Sequence, residues 1–369
     1  MTRVEIGRGK SAQLAYGLQD VAILPSRRTR DPQDVSLAWR IDAYSFDLPV
    51  LASATDSVVS PATAVAIGRL GGLGVLDLDG LWTRYEDPEV LLDEVANLDP
   101  DVETRRLQEI YSEPIKDELI VARIQEVRSA GVVTAASLSP REVVAHHEAV
   151  LTAGVDLFVI RGSVVSAEHV SSGSTPLNLK EFIYQLDVPV IVGGCGTYQS
   201  ALHLMRTGAA GVLVGVGAGS TAATRNVLGV AMPMATAIAD VSEARRDYLD
   251  ESGGRYVHVI ADGGMRTGGD IARAVACGAD AVMIGSPLAR AIEAPGRGWH
   301  WSPESFHPDV PRGTRVKLGV VGSLREVLVG PTTTSDGSTN LAGALRRVMA
   351  NSGYSDLKEF QRVEVAVLA

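Results

Sequence analysis

The sequence predicts an α/β fold: a (β/α)8 TIM barrel in a single domain. Three observations lead there. Apolar runs of strand length recur along the 369 residues, with helix-length segments between them. Those runs are apolar throughout rather than alternating, as parallel strands are when both faces are buried. The last three predicted strands each end in glycine, as Gly215-Val216-Gly217-Ala218-Gly219-Ser220, Asp262-Gly263-Gly264 and Gly285-Ser286. Bare backbone at successive strand ends is how a phosphate-binding barrel closes.

Each element follows in order. Residues 1–45 are a lead-in, whose basic run Arg27-Arg28-Thr29-Arg30 reads as a solvated loop. Strands are predicted over 49–53, 73–76, 132–136, 157–160, 189–192, 211–214, 257–261 and 281–284. Helices are predicted over 61–70, 89–98, 116–129, 140–152, 179–185, 199–207, 234–248 and 269–277. Those at 61 and 140 open on proline, which suits a first helical turn. The barrel core spans 46–290, and residues 291–369 supply a C-terminal loop, helix and tail. Within that region a Pro/Gly-rich stretch up to about residue 340 reads as a loop above the active face, followed by a helix over 341–352. No solenoid-length repeat is visible.

Composition excludes several classes. The chain carries 34 basic and 44 acidic residues, a net charge of −10, which disfavours a nucleic-acid surface. Two cysteines, Cys195 and Cys277, imply no disulfide framework. The charged first ten residues carry no signal-peptide apolar region, and no uninterrupted apolar stretch reaches membrane length. The expectation is a cytoplasmic protein with no membrane partner and no metal.

The three glycine-bearing strand ends point to a phosphate cradle of Ser220, Gly263, Gly264, Gly285 and Ser286. Glycine lets an anion reach the main chain. Asp262 stands at a strand end before two glycines, where a carboxylate can accept two hydrogen bonds from a ribose diol. The alternative is an aspartate that organises the turn. Gly215–Ser220 has the look of a dinucleotide fingerprint, but it lacks the βαβ context with a distal acid and is not read as one.

Several stretches resemble the IMP dehydrogenase / GMP reductase family: Leu18-Gln19-Asp20-Val21-Ala22-Ile23-Leu24-Pro25, Ala52-Ser53-Ala54-Thr55-Asp56-Ser57-Val58, Gly71-Gly72-Leu73-Gly74-Val75-Leu76, and 261–270 with 283–289. The resemblance covers nearly the whole chain. With the tail 357–365, it is most similar to an IMP dehydrogenase-related branch found in actinobacteria. The stretch 77–131 is too short for the paired regulatory CBS domains of many members. The resemblance implies a purine 5′-monophosphate ligand, NAD or NADP as cofactor, and a homotetramer. It also implies a thiolate that attacks C2 of the purine. The position of that cysteine falls on Ala222, whose methyl group cannot add to a base. The strand-four acid near the nicotinamide falls on Arg161, the asparagine beside the cysteine on Cys195, and the base-stacking methionine on Thr55. The water-activating flap pair has no counterpart in 322–340, which lacks tyrosine. Thr224 matches a threonine two residues past the cysteine, and Val321 and Gly322 fall on the base-contact segment.

Two functions stand open at this level. One is a protein that binds a purine 5′-monophosphate with little or no IMP dehydrogenase turnover. The other is an active NAD(P)-dependent purine-nucleotide oxidoreductase with a different nucleophile, such as Cys195, helped by Thr224.

Overall fold

The predicted apolar runs form eight parallel strands that close into one barrel. They are β1 (Val50–Ala52), β2 (Leu73–Asp77), β3 (Ala135–Leu138), β4 (Leu157–Arg161), β5 (Val190–Cys195), β6 (Gly211–Val214), β7 (His258–Asp262) and β8 (Ala281–Ile284). Each pairs with the next, and β8 returns to β1 with Met283 opposite Leu51. The structure, a computed structural model, describes residues 3–170, 172 and 176–368.

The strands are buried almost throughout because one face fills the barrel and the other meets the helices. The sequence reading misplaced two of them. The third lies at Ala135–Leu138 rather than 132–136, and the fifth runs on to Cys195. In both cases the pairing partners, not local apolarity, set the ends: Leu138 pairs Ile160, and Cys195 pairs Val214.

The surrounding helices are α1 (Pro61–Arg69), α2 (Asp117–Ser129), α3 (Pro140–Thr152), α4 (Leu179–Tyr184), α5 (Tyr198–Met205), α6 (Met234–Glu251), α7 (Gly268–Ala276) and α8 (Leu341–Asn351). The eighth helix of the ring is thus the terminal one, packed on α7. The predicted helix near 89–98 belongs to an insertion between β2 and α2, together with an unpredicted helix at Glu103–Ile110. α7 begins with a capping box. Thr267 Oγ1 accepts from the Asp270 amide at 3.2 Å, and Asp270 Oδ2 accepts from Thr267 N at 3.0 Å. That box fixes the turn carrying Gly263 and Gly264.

Small antiparallel pairs dress the barrel. Val365–Val367 pairs with Val21–Ile23, tying the tail to the lead-in. The basic run at 27–29 is exposed, as expected. Above the C-terminal strand ends lies a second hydrophobic cluster, separate from the main core: Leu81, Trp82, Leu92, Val95, Leu107, Ile110, Tyr111 and Trp301. It joins the insertion to the loop that follows β8. Arg315, its side chain wholly buried, clamps the same two pieces. Its Nε donates to Glu103 Oε2 at 3.0 Å and its Nη1 to Val95 O at 2.6 Å. This loop is a docked lid over the barrel mouth.

Candidate functional site

A cavity of about 310 Å³ opens at the C-terminal ends of the strands, under the lid. Every barrel strand except β5 sends residues to its wall, from Ser53 and Asp77 to Arg161, Asp262 and Gly285. The strand ends gather there because parallel strands all finish on one face.

The residues expected to form a phosphate cradle lie together at the strand ends. Ser220 Oγ and Ser286 Oγ, from the β6 loop and the end of β8, stand 2.6 Å apart. The β7 turn lies against the β6 loop. Gly263 has φ of +88° and Gly264 of +77°, a region that favours glycine. A Cβ on Gly263 would also come within 3.1 Å of Gly219 N. The amides of Gly219, Ser220 and Gly264 donate no hydrogen bond among the described residues. Gly219, Ser220, Gly264 and Ser286 border a neighbouring hollow that Arg225 and Arg266 also line. Free N–H donors, hydroxyls and guanidinium groups in one place are able to receive an anion.

Asp262 reaches the cavity but is already engaged. Arg161 Nε donates to Asp262 Oδ2 at 3.2 Å, and Arg161 Nη1 donates to Ala54 O at 3.2 Å. Asp262 Oδ1 accepts no hydrogen bond among the described residues, so one oxygen stays open to a hydroxyl. Burial pulls the Arg161 guanidinium down, but Asp262 and Asp77 outweigh it and hold it firmly charged. Where the resemblance implies an acid beside the nicotinamide, the chain has Arg161 paired with Asp262, which offers the ring no free carboxylate. The residues at β4 therefore do not fit that group in that place, and no hydride step follows from them.

The remaining predicted positions divide. Ala222 and Thr224 line the cavity, Thr224 buried at the start of a short helix. The β6 loop is pinned to the lid: Ala223 N donates to Arg312 O at 2.7 Å and Thr314 N to Thr221 O at 2.8 Å. Thr55 is buried and also lines the wall.

Cys195 does not reach the cavity. It is buried, its Sγ lies 3.4 Å from Leu213 O, and burial pushes its thiol up to about 12. A desolvated thiol holds its proton, which weighs against Cys195 as a relocated nucleophile. Val321 and Gly322 are also displaced from their expected base contact. Val321 N bonds to Arg290 O at 2.9 Å and Ile292 N to Gly322 O at 2.8 Å, which fixes the segment beside the chain after β8 and off the cavity wall.

The lid supplies residues that sequence reading missed: His300, Ser302, Glu304, Phe306 and Arg312. Arg312 Nη2 sits 2.7 Å from Glu304 Oε2, and both bond to Ser163 Oγ after β4, at 2.9 and 2.7 Å. Two buried aspartates, Asp56 and Asp77, and the half-buried Asp79 lie near one another at the end of β2. Burial raises Asp77 well above the carboxylate range, and Asp56 and Asp79 add to it. Asp56 is pushed up to about 6 by burial, against hydrogen bonds from Tyr111 Oη at 2.7 Å and Leu81 N. The Trp299-His300-Trp301 run was the one available signal: two large apolar side chains in a polar loop need cover.

Comparison with known proteins adds to this geometry. Residues 15–307 match the model of the IMP dehydrogenase / GMP reductase domain. An uncharacterized oxidoreductase of Mycolicibacterium smegmatis is 52% identical, over 99% of both chains. One from Mycobacterium leprae is 51% identical over the same shares. The inosine-5′-monophosphate dehydrogenase of Methanocaldococcus jannaschii is 27% identical, covering 78% of this chain and 74% of that one. The crystal structure of an IMP dehydrogenase/GMP reductase-like protein from Corynebacterium glutamicum superposes with a TM-score of 0.94 at 47% identity, covering 99% and 97% of the two chains.

Proposed function

The chain belongs to the IMP dehydrogenase / GMP reductase family, and from that premise we propose that its barrel mouth binds a purine 5′-monophosphate without the family's thiolate chemistry. The observation that carries the binding half is the anion cradle. Unpaired amides of Gly219, Ser220 and Gly264 lie beside two hydroxyls 2.6 Å apart. A phosphate takes those donors, the Gly263-Gly264 turn lets it approach the main chain, and Asp262 Oδ1 takes a ribose hydroxyl.

Ala222 carries the other half. It lines the cavity where a thiol would have to stand, and neither native cysteine replaces it. Cys277 sits beyond the end of α7, outside the cavity wall, and burial pushes it up to about 11. No thiol stands on the described wall to attack C2 of a purine. The docked lid excludes water from the bound base and holds the β6 loop still.

The test has two arms on the purified chain. Calorimetry with IMP, GMP and XMP is expected to show saturable binding of at least one. NAD reduction with IMP, and NADPH oxidation with GMP, are expected to stay near background. No heat with any of the three nucleotides removes the binding half. Rapid steady turnover removes the other.

A further inference from the structure

The lid loop is built with two faces. Trp301 and Trp299 turn into the roof cluster, while His300 and Ser302 line the cavity. His300 is 5% exposed and Ser302 9%. We propose that His300 is a ligand-contacting residue whose Nε2 accepts a hydrogen bond from a sugar hydroxyl of the bound nucleotide. This rests on the purine 5′-monophosphate reading and extends it to a lid residue not among the expected site residues.

Proton counting at Ser57 sets the state of the ring. Ser57 Oγ lies 2.8 Å from His300 Nδ1, 3.2 Å from Trp301 O and 3.4 Å from Trp301 N. The hydroxyl has one proton to give and two lone pairs, one of which is shared by its two long contacts, Thr55 Oγ1 at 3.3 Å and the Trp301 amide at 3.4 Å. Trp301 O has no other donor among the described residues, so the Ser57 hydroxyl donates there. Ser57 Oγ then accepts from the Trp301 amide and from Nδ1–H of His300. This leaves Nε2 as a bare lone pair. Burial, with the Arg161 charge nearby, holds the ring neutral, down to about 4.

Nε2 has no partner among the described residues. It sits at the end of β8, where a Cβ on Gly285 would stand 2.8 Å from it. Ser302 Oγ is a buried lid oxygen without a partner among the described residues. Buried polar atoms are nearly always satisfied, so the orphaned Ser302 Oγ, on the same cavity wall as His300, points to a ligand. The position selects the chemistry. Gly285 belongs to the cradle, and a bare lone pair there cannot face the phosphate itself, so the group beside His300 is the part of a nucleotide next to its phosphate, the sugar. A lone pair repels phosphate oxygens and accepts only from a donor. The donors of a sugar are its hydroxyls.

The experiment measures binding of IMP, its 2′-deoxy and 3′-deoxy analogues, and inorganic phosphate to the parent, His300→Phe and His300→Gln. Phenylalanine keeps a planar ring without an acceptor, and glutamine keeps an acceptor at that reach. For one of the two analogues, the preference for IMP is expected to fall roughly 3- to 10-fold in His300→Phe. It should persist in His300→Gln, and phosphate should compete equally in all three. An unchanged preference in His300→Phe overturns the role of His300 and leaves nucleotide binding standing. Absence of binding by the parent removes both. Nitrogen-15 NMR of the parent is independent of either variant's folding: an Nδ1–H ring is expected, and an Nε2–H ring overturns the proposal.

Discussion

Gly264→Asp is the sharpest perturbation of the anion cradle. The residue has φ of +77°, and a Cβ there would meet Ala218 O at 3.3 Å and Met234 Cγ at 3.5 Å. A methyl fits with small movements, so the backbone strain dominates, at about 1–3 kcal/mol for a non-glycine residue. A carboxylate adds charge beside the phosphate. At roughly 4–5 Å and an effective dielectric of about 20, each pair of unit charges costs about 3–4 kcal/mol. A phosphate carries up to two charges. Screening by half still leaves about 3 kcal/mol, which is roughly a 100-fold loss of affinity. Gly264→Ala is the matched control, with the same strain and no charge. Calorimetry with IMP should show Gly264→Asp weakened at least about 100-fold and Gly264→Ala less than about 10-fold. Thermal melts should show similar losses of stability in both. A folded Gly264→Asp variant that binds IMP within a few-fold of the parent would refute the cradle.

Ala222→Cys should create the one reactive thiol: at pH 8 a thiol near 12 or 11, as at Cys195 and Cys277, is only about 1 part in 10⁴ or 10³ thiolate. Iodoacetamide should modify the introduced thiol first and nucleotide should protect it; equally fast labelling of Cys195 contradicts this. Trp301→Ala removes an indole that is 1% exposed, together with its N–H bond to Tyr111 Oη at 2.8 Å, and should cost the roof about 3–5 kcal/mol. Because the roof cluster is separate from the main core, faster hydrogen exchange should be confined to the lid and the insertion, and uniform loosening of the barrel would count against that division. His300, held at about 4 by burial against 6.5 when unfolded, makes stability fall as pH drops, because the unfolded chain takes up the proton first. The loss begins near pH 6.5 and totals about 3 kcal/mol by pH 4, at about 1.4 kcal/mol per unit. Asp56, raised to about 6 by burial, works in the opposite direction below pH 6, so the His300 share is read as the difference between parent and His300→Gln in urea unfolding at pH 7 and 4.5. Parallel pH curves for the two would refute it.

The barrel and the glycines at its strand ends were legible in the sequence because both rest on local pattern. Eight apolar runs announce strands whatever their order in space, and a glycine after a strand marks close backbone approach at that strand's own end. Ser220, Gly263, Gly264 and Ser286 converge simply because neighbouring parallel strands finish together. Ala222 needed only its place in the loop, and the structure puts it on the cavity wall.

Tertiary structure alone decided the rest. The Ser57–His300 contact spans 243 positions, Ser163–Glu304 spans 141, and Arg161–Asp262 spans 101. Nothing local in the chain encodes such pairs, because each depends on how a loop returns over the barrel. Cys195 lay next in sequence to a predicted strand end, yet β5 continues through it and buries its thiol. Val321 and Gly322 were drawn aside by pairing with the chain after β8. Periodicity sets which residues face a core, and so it fixes the scaffold. Which polar groups meet across the mouth is settled by long-range packing, here the burial of Trp301 in a roof that turns His300 toward the site.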